Sequence, residues 1–337
     1  MGDLPMSWGE EFSEADYQRY RHLTAEERQR MLQDEATPEA VTALLLYQQG
    51  QKLLQDKEFG PAIEQFDLVL NLRPHWPEVW TDRGLALLKQ GNYSATVESC
   101  DRAIELQSDN QPAWRYRGLA LFGLRQFESA VTSCQQAIDL NSQDQEAYRT
   151  LSDALHCLGR YDEAIPNYDR VLELKPEDGV AWGQRGRALQ KLGRYDEAIT
   201  SFDKRLELEP KDHKLWYQRG LALRRLGQPE SAIASFDQAL TLQPEFYAAT
   251  RSKLFLLLIS GQLGSYLKGQ RSPAELALFR NDLRNLLDSF TKTKLPALVV
   301  IALVTLSSTH HRGIALAVAG VFLLIAAIGD LIAESRR

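Results

Sequence analysis

A period of 34 residues governs the middle of this chain. An aromatic followed four residues later by glycine recurs at Trp80 and Gly84, Trp114 and Gly118, Trp182 and Gly186, and Trp216 and Gly220; Tyr148 and Ser152 fill the same places between them, and Leu46 and Gly50 begin the series. Seven residues after each glycine or serine stands Lys57, Gly91, Arg125, Gly159, Gly193 or Gly227. A small residue follows at Ala62, Thr96, Ala130, Ala164, Ala198 and Ala232, and four residues later come Phe66, Cys100, Cys134, Tyr168, Phe202 and Phe236. Six such units fill residues 43–246. A repeat of this length dictates architecture before any local structure is assigned. Apolar residues at helical spacing on both sides of each break predict two amphipathic helices per unit, and Pro74, Pro176, Pro210 and Pro244 close four of them. Each hairpin leaves an apolar face that only its neighbour can cover, so the units must stack.

The pattern resembles the tetratricopeptide repeat family, whose signature places an aromatic, Leu-Gly, Tyr, Ala, an aromatic, Ala and Pro at these intervals. The resemblance covers 204 of 337 residues. It implies an all-α fold: a right-handed superhelical solenoid of helix-turn-helix hairpins. Ser152, Pro229, Ser108, Ser142 and Arg205 depart from the signature, and Arg83, Arg117, Arg185 and Arg219 precede the glycine where the family more often has leucine.

In that family the first helix of each hairpin lines a concave groove that holds a partner's peptide or helix. Carried over by offset from the aromatic, the groove positions are Tyr47, Thr81, Arg115, Arg149, Gly183 and Tyr217 one residue on; Gln51, Leu85, Leu119, Asp153, Arg187 and Leu221 five on; and Leu54, Leu88, Phe122, His156, Gln190 and Arg224 eight on. Of these, Leu85, Leu88, Leu119 and Phe122 predict an apolar early groove. Arg115, Arg149, Arg187, Lys191, Lys214, Arg224 and Arg225 make the later groove basic, and Tyr217 completes the candidate set. An extended ligand with one apolar and one acidic end fits that gradient; the competing reading is a solvated face matched by glutamates. A chaperone's terminal carboxylate is not the expected ligand, because Tyr47, Gln51, Thr81 and Leu85 stand where that subgroup has a lysine and asparagines.

Charge is distributed unevenly. Residues 1–42 hold ten acids against four arginines, which accounts for the whole net charge of −6. Without a basic excess a nucleic-acid partner is not expected. This acidic arm contains Thr24 and Glu27 at capping-box spacing and predicts a short capping helix; its charge also allows it to fold over the basic groove. Residues 247–290 read as a degenerate capping hairpin, with an apolar helix around residues 254–259 and a second helix opened at Ser272, Pro273 and Glu275 that carries Leu276, Phe279, Leu283, Leu286 and Phe290 on one face; a dimerising role is the alternative. Residues 291–337 read as a membrane anchor: 295–309 and 313–329 are free of charge, and extension of the second to 333 brings it near the ~30 Å of a hydrocarbon core. A hairpin of two spans and a single span are both open, as is a buried helical hairpin in a soluble cap. In the hairpin Lys292, Lys294, Arg336 and Arg337 share one side against Arg312, and in the single span Lys292, Lys294 and Arg312 precede it against Arg336 and Arg337, so both topologies place the repeats in the cytoplasm.

Nothing in the sequence assembles catalysis, a cofactor site or a metal site. His156 and Cys157 are neighbours on a helix and point about 100° apart, His310 and His311 lack a third ligand, and no glycine-rich phosphate loop follows a strand. Cys100 and Cys134 lie one repeat apart, too far for a disulfide, and read as small buried hydrophobes. The expected function is a membrane-anchored scaffold or adaptor that is not an enzyme; the alternatives are a structural homo-oligomer and a regulatory subunit of a membrane-associated enzyme.

Overall fold

The computed structural model describes residues 38–260, together with Leu23, Thr24, Glu26, Glu27 and Met31. Thirteen α-helices and no strand occur among the described residues. They are α1 (Glu39–Gln55), α2 (Phe59–Leu72), α3 (Pro77–Gln90), α4 (Tyr93–Leu106), α5 (Gln111–Gly123), α6 (Phe127–Leu140), α7 (Gln145–Cys157), α8 (Tyr161–Leu174), α9 (Gly179–Lys191), α10 (Tyr195–Leu208), α11 (His213–Arg225), α12 (Pro229–Leu242) and α13 (Tyr247–Ile259). Odd-numbered helices open the hairpins and even-numbered helices close them. The chain forms two compact units, Met1–Ala188 and Leu189–Arg337, whose division falls inside α9.

In the first unit each helix from α1 to α8 packs on the next, and the opening helices α1, α3, α5 and α7 also touch in sequence. In the second unit α10, α11, α12 and α13 pack in the same order. The row of small residues from Ala62 to Ala232 is wholly buried, as are Phe66, Cys100, Cys134, Tyr168, Phe202 and Phe236. Glycine meets this second row because the helices approach too closely for a side chain: a Cβ on Gly118 would lie 2.5 Å from Cys134 Sγ. Burial pushes the thiols of Cys100 and Cys134 up to about 12, so both behave as apolar filler.

The hairpin turns are left-handed. Gly91, Gly159, Gly193 and Gly227 adopt φ of 84°, 76°, 76° and 81°, but Lys57 and Arg125 take the same role at 64° and 62°. Around Lys57 the closing bonds are intact: its N–H donates to Leu54 O at 3.2 Å and the N–H of Glu58 donates to Leu53 O at 2.8 Å. A Cβ in this conformation costs about 1 kcal/mol. Lys57→Gly and Arg125→Gly are each expected to raise stability by about 0.5–1 kcal/mol in urea denaturation; a loss of stability would show that their side chains make contacts that outweigh the strain.

The four arginines that depart from the family pattern bind consecutive hairpins together. Arg83, Arg117, Arg185 and Arg219 donate from Nε to Asp67, Asp101, Asp169 and Asp203, each 16 residues earlier, at 2.6, 2.6, 2.5 and 2.5 Å. Arg83, Arg117 and Arg219 also donate to Ser99 and Ser133 at 2.7 Å and Ser235 at 2.8 Å, each serine 16 residues after its arginine. Each guanidinium lies over the tryptophan three residues before it, 5.8–5.9 Å from the ring centroid. In the unit that has Leu151 at the arginine position, Gln135 and Asn167 replace the aspartate and serine. Lys253 of α13 extends the series at the other end, pairing with Asp237 at 2.5 Å.

Both described ends cover their neighbours. Thr24 and Glu27 form the expected capping box, with Thr24 N–H to Glu27 Oε2 at 2.7 Å and Glu27 N–H to Thr24 Oγ1 at 3.3 Å. Leu23 and Met31 pack on the first core cluster. Helix α1 begins at Glu39 and buries Ala40 and Val41, so it takes in the last four residues of the segment expected as an arm. Helix α13 buries Ala249, Leu254, Leu256 and Leu257. The remainder of the expected 247–290 hairpin, the 273–290 helix and the apolar stretches 295–309 and 313–333 lie outside the described residues. Among the described residues no helix is long and apolar enough to cross a membrane.

Candidate functional site

The surface of interest is presented by the opening helices, and its floor is set by their N-caps. Asn110, Asp144, Asp178 and Asp212 start α5, α7, α9 and α11, each accepting a hydrogen bond from the backbone N–H three residues on at 3.0–3.1 Å. Three of these caps also reach back to the preceding opening helix. Asn110 Nδ2 donates to Thr81 Oγ1 at 2.9 Å. Asp144, 3% exposed, accepts from Gln111 and pairs with Arg115 Nη1 at 3.5 Å. Asp178, 5% exposed, accepts from Gln145 Nε2 at 3.1 Å and pairs with Arg149 Nη2 at 2.6 Å.

This arrangement changes the role expected for three candidate residues. Arg115 and Arg149 were expected to contribute positive charge to the groove, but each offsets a buried aspartate that a helix N-terminus requires. Arg115 also approaches Glu146 at 3.7 Å and stacks on Tyr116 at 4.9 Å. Tyr217 is a packing residue, its ring 5.7 Å from Phe236 and 5.1 Å from Phe246. The equivalent residue five repeats earlier, Tyr47, does the same with Phe66 at 6.0 Å and Trp76 at 4.7 Å. Arginine–aspartate clamps thus occur in internal repeats, and stacked aromatics take their place where Trp76 and Phe246 stand at the cap position.

The remaining candidates keep access to solvent. In the first unit Leu85 and Leu88 on α3, and Leu119 and Phe122 on α5, are half-buried on adjacent opening helices, with Phe122 5.6 Å from Phe127. Arg187 on α9 is exposed and donates to Gln184 Oε1 at 2.9 Å. In the second unit Lys191, Lys214 and Arg225 are exposed and Arg224 is half-buried. The apolar set and Arg187 belong to the first unit, and Lys191, Lys214, Arg224 and Arg225 to the second.

Sequence reasoning missed Asp82 and placed Asp153 at a groove position without giving it a partner. Asp82 of α3 accepts from Tyr47 Oη at 2.8 Å and Gln51 Nε2 at 3.1 Å; burial holds its carboxyl above the usual aspartate range, against the opposing effect of those two donors. Asp153 of α7 is raised by burial in the same way while accepting from Tyr168 Oη at 2.7 Å. Both networks tie one helix to another: Asp82 links α3 to α1, and Asp153 links α7 to α8. Catalytic geometry does not emerge from His156 and Cys157: His156 stacks edge-on against Tyr161 at 5.1 Å, and Cys157 is exposed. Among the described residues no group of three potential metal ligands occurs, and His310 and His311 lie outside them.

Comparison with known proteins agrees with this architecture. Residues 184–247 match the family model of the tetratricopeptide repeat, and residues 75–207 match that of the bacterial transcriptional activator domain. No curated protein matches the chain. Among solved structures, YrrB, described as a TPR protein with an unusual peptide-binding site, superposes with a TM-score of 0.53 at 22% identity, over 56% of this chain and 97% of its own. Structures of MamA align at TM-scores of 0.48 and 0.46, with 20% and 29% identity, covering 50% and 49% of this chain and 92% and 96% of theirs. With 407 chains matching, the likeness identifies a fold and no activity. Period, hairpin geometry and these matches together identify residues 39–259 as an all-helical array of tetratricopeptide-like hairpins.

Proposed function

We propose that this chain is a scaffold that holds partner proteins on its opening helices, is anchored to a membrane through 295–309 and 313–333, and carries out no chemistry of its own. The observation that carries the reading is the half-buried apolar set Leu85, Leu88, Leu119 and Phe122 on α3 and α5. Phe122 also packs on the core cluster of Leu121, Ala130 and Ala154, yet part of each of the four side chains stays open to solvent on adjacent opening helices. Apolar side chains left partly open on adjacent helices favour a peptide or helix that buries them. YrrB, which shares the fold, is described as having a peptide-binding site, and that supports the same use here. The anchor rests on the charge-free C-terminal stretches, and the flanking lysines and arginines favour repeats that face the cytoplasm.

Photo-crosslinking of the full-length chain in its own cells tests the binding half. A photoreactive phenylalanine at Leu88 or Phe122 is expected to capture other proteins, and the same residue at Gln136, exposed on the closing helix α6, is not. Equal labelling from both faces would overturn the reading, and capture of the same chain alone would favour a homo-oligomer. Alkaline carbonate should leave the full chain in the membrane pellet; release into the supernatant would remove the anchor.

A further inference from the structure

We infer that the four apolar side chains on α3 and α5 already have an occupant, residues 4–12 of the same chain, which a partner must displace. This rests on the scaffold reading for its consequence, since it regulates the surface that the reading assigns to partners. Residues 4–12 lie outside the described residues, but the place where the arm joins the fold does not: Leu23 and Met31 pack on the first core cluster, built from α1, α2 and α3. Phe12 stands eleven residues before Leu23 and reaches up to ~36 Å from it when extended. Opening helices α1, α3 and α5 touch in sequence, so α5 lies only about 20 Å beyond α1. A tether of this length presents the segment at about millimolar effective concentration, so a contact too weak to hold a free peptide is enough. Attachment and surface belong to one compact unit, whereas the apolar segments after residue 260 belong to the other.

The chemistry of the two sides matches. Leu4, Met6, Trp8 and Phe12 bring four large apolar side chains, with Glu10, Glu11 and Glu14 beside them. On the surface, Leu88 and Phe122 sit in the last turns of α3 and α5, and the ring of Tyr93 continues them: it is 36% exposed and lies where a Cβ on Gly123 would meet it at 2.8 Å. Lys89 follows Leu88, and Arg125 stands in the turn after α5; both are exposed, and neither forms an ion pair among the described residues. Lys52 on α1 and Arg187 on α9 are exposed as well, on opening helices that do not carry the patch. The carboxylates of α3 lie toward its other end, Glu78 ~15 Å and Asp82 ~9 Å before Leu88 at 1.5 Å per residue. Asp82 is engaged by Tyr47 and Gln51, and Asp153 on α7 by Tyr168. The arm therefore fits with its apolar side chains on the four of the surface and its glutamates toward Lys89 and Arg125. Exposed charge pairs of this kind orient a segment more than they hold it, and they weaken with salt.

The test uses the purified full chain in detergent, with photoreactive phenylalanine in place of Phe122. Mass spectrometry is expected to find the peptide containing Trp8 linked to the probe within one chain, at least about tenfold more than with the probe at Gln136. Leu4→Ser combined with Trp8→Ser should remove that link, and in cells it should raise capture of other proteins by the same probe. Lys89→Glu combined with Arg125→Glu should lower the link by about threefold at low salt and by less at high salt, and circular dichroism should show all variants folded. A link to residues 273–290, a link only between two copies, no link to the arm, or a link that both charge reversals leave unchanged overturns the inference. Partner capture that stays the same when the arm link is lost overturns it too. The scaffold reading fails separately, when the Phe122 probe captures no other protein in cells even with both serines in place.

Discussion

Replacing Asp178 with alanine is expected to cost about 2–3 kcal/mol, a large loss for a single polar side chain. The carboxylate does three things at once. It caps α9 through the N–H of Ala181 at 3.0 Å, accepts from Gln145 Nε2, and holds the Arg149 guanidinium at 2.6 Å. Loss of the cap alone is worth about 1 kcal/mol. The remainder comes from stranding the two donors, and it is kept modest because Arg149 is 38% exposed and water can reach it. Asp178→Asn keeps the cap through Oδ1 and places an Nδ2 donor where Oδ2 stood, from which Gln145 can accept by turning its amide, so it should lose only about 1 kcal/mol. Urea denaturation followed by circular dichroism measures both; equal losses for alanine and asparagine would show that charge pairing and not capping dominates. Hydrogen exchange should localise the effect to α7 and α9, because each repeat gains its stability from its nearest neighbours.

Gly220→Val should be the more damaging change, at about 3 kcal/mol or more. A Cβ there would lie 2.5 Å from Phe236 Cε1 and 2.7 Å from Cδ1, and Phe236 has no exposed surface. The ring is itself stacked under Tyr217, so it cannot rotate away without displacing a second aromatic. Overpacking of this kind costs about 1–3 kcal/mol, and a β-branched residue adds further χ1 restriction within a helix. The expected readout is a lowered urea midpoint together with loss of near-ultraviolet aromatic signal. An unchanged midpoint would mean that α11 and α12 can separate freely, and it would discount the close approach as a source of stability. Ser152 shows where the array accepts a side chain at this register: its hydroxyl turns back to donate to Tyr148 O at 2.7 Å.

The ladder of arginines shows how information can be present in a sequence and still be read as noise. Arg83, Arg117, Arg185 and Arg219 look like departures when each is compared with the family pattern. Compared with residues 16 before and 16 after, they fall into an aspartate–arginine–serine series that vanishes as a whole in the one internal unit with Leu151. That joint change was legible, because a ladder that spans stacked hairpins must recur at the repeat period. The aromatic substitutes at Tyr47 and Tyr217 were less legible, since pairing them with Trp76 and Phe246 requires knowing that an N-cap faces the helix before it.

The groove arginines mark the limit of charge counting. From residue type alone, Arg115, Arg149, Arg187, Lys191 and Arg224 form one basic run. Whether a guanidinium presents charge to a ligand depends on what lies within about 4 Å of it, and that distance is a property of packing. Two of the five are neutralised by aspartates 29 residues later in the chain, one hairpin away, which no local pattern reveals.

Periodicity alone therefore determined the hairpin, its count and the register of its core, because a 34-residue repeat admits one way of burying two apolar helix faces against a neighbour. The tertiary structure decided which polar side chains hold the hairpins together and which remain for a partner. Burial follows from spacing along one chain segment, whereas the pairing of a charge depends on which side chains two segments bring within hydrogen-bond reach.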